Sequence, residues 1–487
     1  MMNTRFSFGW QHIRRAWSGI LGSAEITVSE ELTSADQKQV KVLMDDCLST
    51  RGGEVSARQR AAVLGELYLT LNDTGRCNFL TLMVENFPLE REPLEAAAKQ
   101  MLAADDQSFD QRVGQLRQAL VPPQQRLLRQ FSALPQGVKF LVDLRADLLR
   151  FCAEKPELKP LDRELKSLLE SWFDVGLLTV ERISWNSPAA LLEKLIAYEA
   201  VHAIHSWDDL RNRLESDRRC YAFFHPGMAE EPLIFIEVAL VKGLAESVQE
   251  LLDEDAPLIN PESADTAIFY SISNTQKGLQ GISFGPFLIK QVVNDLIHEL
   301  PNIKVFSTLS PIPGFRRWLK SYLEVAQSLP EEGPNLQALE QAAQQLGAAD
   351  APLALFDQEQ WWGDAEIADG LKEPMLSLCA RYLHETRERD GKPLDPVARF
   401  HLGNGARIER INWLGDSSQN GMRQACGLMV NYLYPLKEIE KNIEAYTAGE
   451  GIAAANRVRN LLPNDDAEPG RLAALRKLLP LGRKGEE

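Results

Sequence analysis

The sequence predicts an α+β protein of several domains, in which an all-α N-terminal domain precedes an α/β domain with helical insertions. The chain has 487 residues, which is more than one ordinary hydrophobic core holds together. Apolar residues recur at helical spacing through the first ~180 residues. Short runs of aromatic and β-branched residues, which are typical of strands, begin only after Ser187.

The helical N-terminal domain is predicted over residues 1–187. Its clearest helices begin at Ser56, Glu92 and Val138. In each of them apolar residues return every three or four positions, which places them on one face of the helix. Prolines and glycines separate these segments and predict short connections between the helices.

The second domain is predicted over residues 188–465, where strands and helices alternate. The predicted strands lie at 220–226, 232–241, 266–273, 304–310, 397–402 and 406–414. The predicted helices lie at 245–252, 286–300 and 314–329 and from Asn420 through the segment RQACGLMVNYLY. Residues 331–395 are predicted to form a helical insertion, and residues 466–487 a charged tail.

Composition excludes several classes of partner. The net charge of −16 argues against a nucleic-acid partner, because phosphate binding needs a concentrated basic surface. Charges interrupt every apolar run, so no membrane span is predicted. No Cys-x-x-Cys or His-Glu-x-x-His motif occurs, and we interpret His202 and His205 as a packed or surface pair, so no metal site is predicted.

A cytoplasmic location is predicted from the cysteines and the chain ends. The 6 cysteines are dispersed, as in proteins whose thiols stay reduced. The basic, amphipathic start of the chain is short and leads into an acidic segment, which is unlike a secretory signal or a long transit peptide. The final residues, Arg-Lys-Gly-Glu-Glu, are not the peroxisomal tripeptide Ser-Lys-Leu.

The loop NTQKGLQGISFG, at residues 274–285, is the first candidate binding site. Gly278, Gly281 and Gly285 permit unusual dihedral angles and close approach of a ligand to the backbone. Pro286 suits the first position of the following helix, whose free N–H groups attract phosphate. The alternative is a plain connection between a strand and a helix.

The order strand, glycine loop, helix, strand, helix resembles the core of GNAT-type N-acetyltransferases, in which this loop grips the pyrophosphate of CoA. The match to the loop motif Gln/Arg-x-x-Gly-x-Gly/Ala is loose, because the spacing is altered. The resemblance implies that the pyrophosphate is bound by Gln276, Gly278, Gln280, Gly281 and Gly285. Lys277 is either a phosphate partner or a solvated lysine.

Longer segments are more specific, and they cover most of residues 190–436. They read HPGMAEEPLIFIEVALVKG, FYSISNTQKGLQGISFGPFLIKQVV, TLSPIPGFRRWL, FHLGNGARIERINWLGDSS and GLMVNYLY. Together and in this order they resemble the signature segments of the malonyl-CoA decarboxylase family. The resemblance implies a GNAT-like catalytic domain and a helical domain that supports a homo-oligomer, a tetramer in the family. It also implies malonyl-CoA as substrate and acetyl-CoA as product.

The chemistry that the resemblance implies needs no cofactor. When carbon dioxide leaves malonyl-CoA, the thioester carbonyl accepts the electrons and becomes an enolate. The enzyme has to stabilise the enolate oxygen, for which one donor contributes roughly 3–4 kcal/mol. It then has to deliver a proton to C2, which a positioned general acid accelerates by about 10²–10⁴.

The resemblance assigns roles to four side chains, each of which has a structural alternative. His401 is the implied proton donor, or else a hydrogen-bonded histidine at a strand end. Ser310 is implied to bind the malonyl carboxylate or the developing anion, or else caps the following helix. Tyr434 is an implied active-site tyrosine or a core aromatic. Ser271 is implied to bind the acyl thioester or is an inward strand serine.

One position departs from the family pattern. In vertebrate-like members an acidic residue just before the glycine that opens the long helix can orient the catalytic histidine, and here that residue is Phe284. The sequence therefore leaves the carboxylate partner of His401 unidentified. It also leaves open a GNAT-type acyltransferase, a non-catalytic acyl-CoA-binding regulator, and the choice between malonyl- and methylmalonyl-CoA.

Overall fold

A computed structural model describes most of the chain and divides it into two compact units. The described residues are 4–21, 27–49, 53–282, 284, 287–326, 333–345, 356, 361–384 and 391–462. Unit 1 consists of Met1–Thr179, Phe223–Leu233 and Asn274–Ser283, and unit 2 of Val180–Ala222, Ile234–Ser273 and Phe284–Glu487. The predicted tail at 466–487, Gly285, and parts of the predicted insertion lie outside the described residues.

Unit 1 is helical, as the spacing of apolar residues predicts. Its helices are α1 (Thr4–Leu21), α2 (Ser34–Leu48), α3 (Glu54–Thr70), α4 (Asp73–Asn86), α5 (Arg91–Leu102), α6 (Phe109–Ala119), α7 (Pro123–Ser132), α8 (Gly137–Phe151) and α9 (Lys159–Trp172). The three helices predicted from Ser56, Glu92 and Val138 correspond to α3, α5 and α8. A cluster of edge-to-face rings, Trp17, Tyr68 and Phe140, lies in the core.

Unit 1 also includes two segments from later in the sequence, which are the connection between two strands and most of the glycine loop. The described part of the loop contains a short 3₁₀ helix, Lys277–Leu279, against α8. The domain boundary predicted between residues 187 and 188 therefore cannot be compared directly with the two units, and it stays a prediction. The compact units are not continuous stretches of sequence.

The strands form a mixed sheet in the C-terminal region. They are β1 (Thr179–Ile183), β2 (Arg218–Phe224), β3 (Ile234–Val241), β4 (Thr266–Asn274), β5 (Val305–Thr308), β6 (Ser310–Pro311), β7 (Arg407–Asn412) and β8 (Met429–Leu433). The order across the sheet is β1-β2-β3-β4-β5-β8-β6, and β7 pairs with β8. Every residue of β2 and all but the last of β3 are buried, which explains why both read as nearly continuous apolar runs.

The remaining helices include those predicted between the strands and four in segments for which neither helix nor strand was predicted. They are α10 (Ala189–Tyr198), α11 (Trp207–Asn212), α12 (Val248–Leu252), α13 (Phe287–Glu299), α14 (Phe315–Ala326), α15 (Gly333–Gln345), α16 (Ala365–His384), α17 (Pro396–Gly403), α18 (Gln419–Ala425), α19 (Ile439–Ala448) and α20 (Asn456–Arg459). The four that were not predicted are α10, α11, α19 and α20. The predicted insertion contains the helices α15 and α16, and its described residues 391–395 are not helical. No helix among the described residues is long and apolar enough to cross a membrane.

The centre of the sheet follows the predicted order of strand, loop, helix and strand. β4 and β5 are parallel, and their pairing runs from Thr266–Val305 to Phe269–Thr308. A parallel connection needs a crossover, which α13 provides. β8 then pairs antiparallel with both β5 and β6.

The strand predicted at 397–402 is wrong, because these residues lie in α17. Pro396 occupies the start of the helix, where it costs no hydrogen bond. The carboxylate of Asp395 caps the helix by accepting from the N–H groups of Val397 and Ala398, both at 2.9 Å. His401 is therefore a helical residue and not a strand-end residue.

Two further boundaries differ from the prediction. The helix predicted from Asn420 through the tyrosines ends at Ala425, because Cys426 and Gly427 have φ angles of +52° and +80°. The buried β-branched and aromatic residues that follow form β8. The single strand predicted at 304–310 is two short strands, separated at Leu309.

Candidate active site

The structure brings together three of the four side chains that the sequence singled out for chemistry, all in unit 2. The Nε2 atom of His401 lies 3.2 Å from the Ser310 hydroxyl oxygen. Its Nδ1 atom lies 2.7 Å from the Tyr434 hydroxyl oxygen. Ser310, His401 and Tyr434 are 5%, 3% and 3% exposed, so this group of three is almost fully enclosed by protein.

Three elements of the fold hold this group in place. His401 lies in the last turn of α17, Ser310 opens β6, and Tyr434 follows β8 directly. The antiparallel pairing of β6 with β8 aligns Ser310 with Val430. These residues are separated by up to 124 positions in the sequence, so their contact depends on the sheet.

Thr308 extends the hydrogen-bonded chain and defines the direction of its protons. The Ser310 hydroxyl donates to the Thr308 hydroxyl oxygen at 2.8 Å, and that oxygen also accepts from the Tyr432 N–H at 3.1 Å. Since the Ser310 proton points to Thr308, the Ser310 oxygen accepts from Nε2–H of His401. Nδ1 is then the acceptor for the Tyr434 hydroxyl. In this arrangement Nε2 carries the transferable proton.

The surroundings favour neutral forms of the titratable groups. Burial lowers the pKa of His401 to about 3, because the imidazolium loses its hydration. Burial also raises the pKa of Tyr434 well above its ordinary value. The His401 ring stacks on Tyr432, with 4.7 Å between ring centroids and 25° between ring planes. In the free protein the imidazole is therefore neutral near pH 7.

Tyr434 is the hydrogen-bond partner of His401 that the sequence left unidentified, and it is a phenol and not a carboxylate. Phe284 is buried and apolar, and the hydroxyl of Tyr434 is the partner of Nδ1. Asp395 belongs to the same helix as His401, but its carboxylate caps that helix and accepts from Tyr382 at 3.4 Å. Burial raises the pKa of Asp395 to about 6.

Ser271 does not contact the group of three in any described hydrogen bond and instead binds a carboxylate that the sequence did not single out. Its hydroxyl donates to Oε1 of Glu199 at 2.8 Å, and Ser273 donates to Oε2 at 3.0 Å. Oε1 also accepts from the N–H groups of Val201 and His202. Glu199 thus joins the inner face of β4 to the segment after α10.

The glycine loop is held in place by hydrogen bonds and by close packing of its backbone against α8. Gln276 is buried, and its side-chain amide donates to the carbonyl of Pro232 at 3.0 Å. A Cβ atom on Gly278 would lie 1.7 Å from the carbonyl oxygen of Val142 in α8, so only glycine fits there. Gln280 is exposed and its carbonyl accepts from Arg145 at 2.9 Å.

The other loop residues are more accessible. Gly281 is exposed and has a φ angle of +77°, a conformation that L-residues with side chains rarely adopt. Lys277 is exposed. Asn404 and Gly405 form a turn at the end of α17, and Gly405 has a φ angle of +84°.

Thr308, Glu199 and Arg145 are the structurally important residues that the sequence analysis did not identify. No motif surrounds Thr308 or Glu199. Arg145 is one of five charged residues in α8, and only the structure shows that it is buried, together with Lys139, Asp143 and Asp147. Among the described residues no group of three or more His, Cys, Asp or Glu side chains is arranged to hold a metal ion.

Two family models match the chain. The malonyl-CoA decarboxylase C-terminal domain matches residues 176–471, and the malonyl-CoA decarboxylase N-terminal domain matches residues 87–173. The mouse protein named malonyl-CoA decarboxylase, mitochondrial, is 39% identical over 430 residues, which are 86% of this chain and 84% of its own. A goose protein of the same name (Anser anser anser) is 37% identical over 82% of this chain and 83% of its own.

Solved structures agree with these relatives. The crystal structure of malonyl-CoA decarboxylase from Rhodopseudomonas palustris is 44% identical, with a TM-score of 0.78, over 87% of this chain and 99% of its own. The corresponding structure from Agrobacterium vitis is 42% identical, with a TM-score of 0.79, over the same shares of both chains.

Proposed function

The chain belongs to the malonyl-CoA decarboxylase family, and from that membership we propose that it is a carboxy-lyase that converts malonyl-CoA to acetyl-CoA and carbon dioxide. The observation that carries the proposal is the contact of His401 with Ser310 and Tyr434 in a buried part of unit 2. The family relationship favours this activity over a GNAT-type acyltransferase and over a non-catalytic regulator.

In the proposed reaction the bond between C2 and the carboxylate carbon breaks, and its electron pair moves to the thioester carbonyl as an enolate. Ser310 binds the malonyl carboxylate or the developing anion through its hydroxyl group. His401 then delivers the proton of Nε2 to C2 as the enolate returns to a carbonyl. As the neutral ring releases its Nε2 proton, the Tyr434 hydroxyl passes its proton to Nδ1, so the ring stays neutral. One proton taken up from solvent at Nε2 then returns the Nδ1 proton to the tyrosine and restores the site.

The buried environment supports a direct mechanism. Each donor acts on developing charge without competition from water, which is where fixed donors contribute most. Serine is a poor acid, whereas the neutral imidazole of His401 presents an N–H whose loss the hydroxyl on Nδ1 can compensate. We therefore propose that Ser310 is a binding and charge-stabilising residue and that no acyl-enzyme forms.

We assign the CoA pyrophosphate to the loop of Gln276, Lys277, Gly278, Gln280, Gly281 and Gly285, of which Gly285 lies outside the described residues. Support comes from the exposed, left-handed Gly281, whose backbone a ligand can approach closely. For Ser271 we propose an indirect role near the acyl thioester, because its hydroxyl is already bound by Glu199.

A cytoplasmic location and a homo-tetramer are further parts of the proposal. None of the six cysteines, all of which lie among the described residues, forms a disulfide, as is usual in a reducing compartment, whereas the mouse relative is named as mitochondrial. Helices α5 and α6 have no buried residues of their own, which is consistent with a surface that takes part in assembly. Cell fractionation and light scattering of the purified protein test these two points.

The direct test is mass spectrometry of malonyl-CoA incubated with protein that has been stripped of metal. We expect acetyl-CoA to accumulate without an added cofactor or amine, because the thioester itself accepts the electrons. Release of carbon dioxide without an amine separates the reaction from acyl transfer. If chelation abolishes activity and a divalent metal restores it, the cofactor-free mechanism is wrong.

A further inference from the structure

Arg145 is a buried arginine whose side chain donates hydrogen bonds to the backbone of the glycine loop. It extends from α8 and is 2% exposed. One of its terminal nitrogens, Nη1, donates to the carbonyl of Gly278 at 2.6 Å and to that of Gln280 at 2.9 Å. Its Nε donates to the carboxylate of Asp162 in α9 at 2.8 Å, which balances the buried charge.

These bonds determine which way the loop backbone faces. In a trans peptide the carbonyl and the N–H point in opposite directions. Because the carbonyl of Gln280 points to Arg145, the N–H of Gly281 is directed away from Arg145. Gly281 is exposed, so the loop presents this N–H on its outer side.

A lysine of α9 lies beside the same glycine. A Cβ atom on Gly281 would be 3.7 Å from Cε and 3.9 Å from Nζ of Lys166. The ammonium group forms an ion pair with Glu170 at 3.3 Å, and the two side chains are 36% and 47% exposed. An exposed pair of this kind contributes little stability, so Lys166 can exchange Glu170 for a more highly charged anion.

We propose that α8 and α9 complete the phosphate site of the proposed CoA-binding loop. Arg145 is a positioning residue that holds the loop carbonyls inward, and Lys166 binds a phosphate of CoA next to Gly281. The proposal rests on the assignment of CoA to this loop. It gives the helical unit a part in substrate binding in addition to the predicted part in assembly.

The test compares two substrates, malonyl-CoA and malonyl-pantetheine, which lacks the phosphates and the nucleotide. In the Lys166→Met variant we expect KM for malonyl-CoA to rise about tenfold, the scale of one charge-assisted hydrogen bond. We expect kcat/KM for malonyl-pantetheine to stay unchanged. Lys159→Met, an exposed lysine at the start of the same helix, is the matched control.

For Arg145→Met we expect the same dependence on the phosphates, together with faster hydrogen exchange of the loop amides at 276–282. Arg150→Met, on the same helix, is the control, because Arg150 is half exposed and pairs with Asp73 and Asp147. Arg145→Lys keeps the buried charge but loses the fork of donors. It therefore provides a second measurement if Arg145→Met does not fold.

Calorimetric titration of each folded variant with CoA itself separates this proposal from the proposed reaction. A loss of CoA affinity supports the phosphate site even in a protein that does not decarboxylate malonyl-CoA. Unchanged CoA affinity in Lys166→Met removes the lysine from the site. An equal loss with both substrates in Arg145→Met or Arg145→Lys makes Arg145 a residue of general stability and overturns its positioning role.

Discussion

The Nδ1 atom of His401 and the hydroxyl oxygen of Tyr434 lie 2.7 Å apart in the interior of unit 2. A phenol hydroxyl can donate or accept, so the direction of this bond follows from the Ser310 hydroxyl, which donates to Thr308 and therefore leaves Nε2 as the donor and Nδ1 as the acceptor. In many hydrolytic triads a carboxylate orients the histidine. Here a neutral phenol is the partner of the histidine, and it adds no negative charge to the group of three.

His401→Asn should retain affinity for CoA while kcat falls by about 10² or more, the usual scale for loss of a general acid. Asparagine keeps a polar side chain but cannot exchange protons near neutral pH. Steady-state kinetics and calorimetry with CoA measure the two effects. His298→Asn is the control, because His298 is an exposed histidine of α13. A His401→Asn variant with full kcat would remove the histidine from proton transfer.

Ser310→Ala should lower kcat by about 10²–10³, which is typical of the loss of one donor to a developing anion. Rapid quench followed by intact-protein mass measurement of the wild type should show no covalent adduct during turnover. A malonyl or acetyl adduct on Ser310 that forms and decays at the turnover rate would instead make the serine a nucleophile.

Tyr434→Phe keeps the aromatic ring but leaves Nδ1 of His401 without its hydroxyl partner. An unsatisfied buried polar group costs about 1–3 kcal/mol, so we expect kcat to fall by about tenfold to a hundredfold with little change in KM. Tyr270→Phe is the matched control, because the buried hydroxyl of Tyr270 has no hydrogen-bond partner among the described residues. An equal loss of kcat in both variants would show that the effect of Tyr434→Phe comes from packing and not from the hydrogen bond to His401.

Gly281→Val should weaken CoA binding, because a β-branched side chain both disfavours a φ angle of +77° and occupies the space in front of the loop. Calorimetric titration of the folded variant with CoA measures the loss. Gly243→Val has similar backbone strain, since Gly243 has a φ angle of +70° and open space around it. If both variants bind CoA like the wild type, the pyrophosphate lies elsewhere.

His401 should also make the protein sensitive to acid. Its pKa is about 3 in the folded protein and about 6.5 in an unfolded chain. The unfolded state therefore binds the extra proton as the pH falls below 6.5, and the stability that is present above this value is lost progressively down to pH 3.

Between pH 7 and pH 4.5 this loss amounts to about 2–3 kcal/mol. Urea denaturation at the two pH values measures it as the difference between the wild type and His401→Asn. The comparison is needed because burial raises the pKa of Glu237 to about 8, which changes stability in the opposite direction. An equal pH dependence in the two proteins would show that His401 does not titrate in this way.

The sequence by itself determined the helical N-terminal region, most strands of the sheet, and the segments that resemble those of the family. These features depend on local patterns: the 3.6-residue spacing of α3 and α8, the apolar runs of β2 and β3, and the punctuation by glycine and proline. The family segments also identified His401, Ser310 and Tyr434 before any contact between them was known.

Only the tertiary structure decided how these residues work together. Asp395 and Pro396 begin a helix where the run VARFHL read as a strand, because a cap and a proline outweigh short-range β-propensity. Thr308 and Arg145 make hydrogen bonds to residues that are distant in the sequence. Tyr432 is 124 positions from Thr308, and Gly278 is 133 positions from Arg145. No local pattern encodes such pairs, since they arise when β5 meets β8 and when the glycine loop packs against α8.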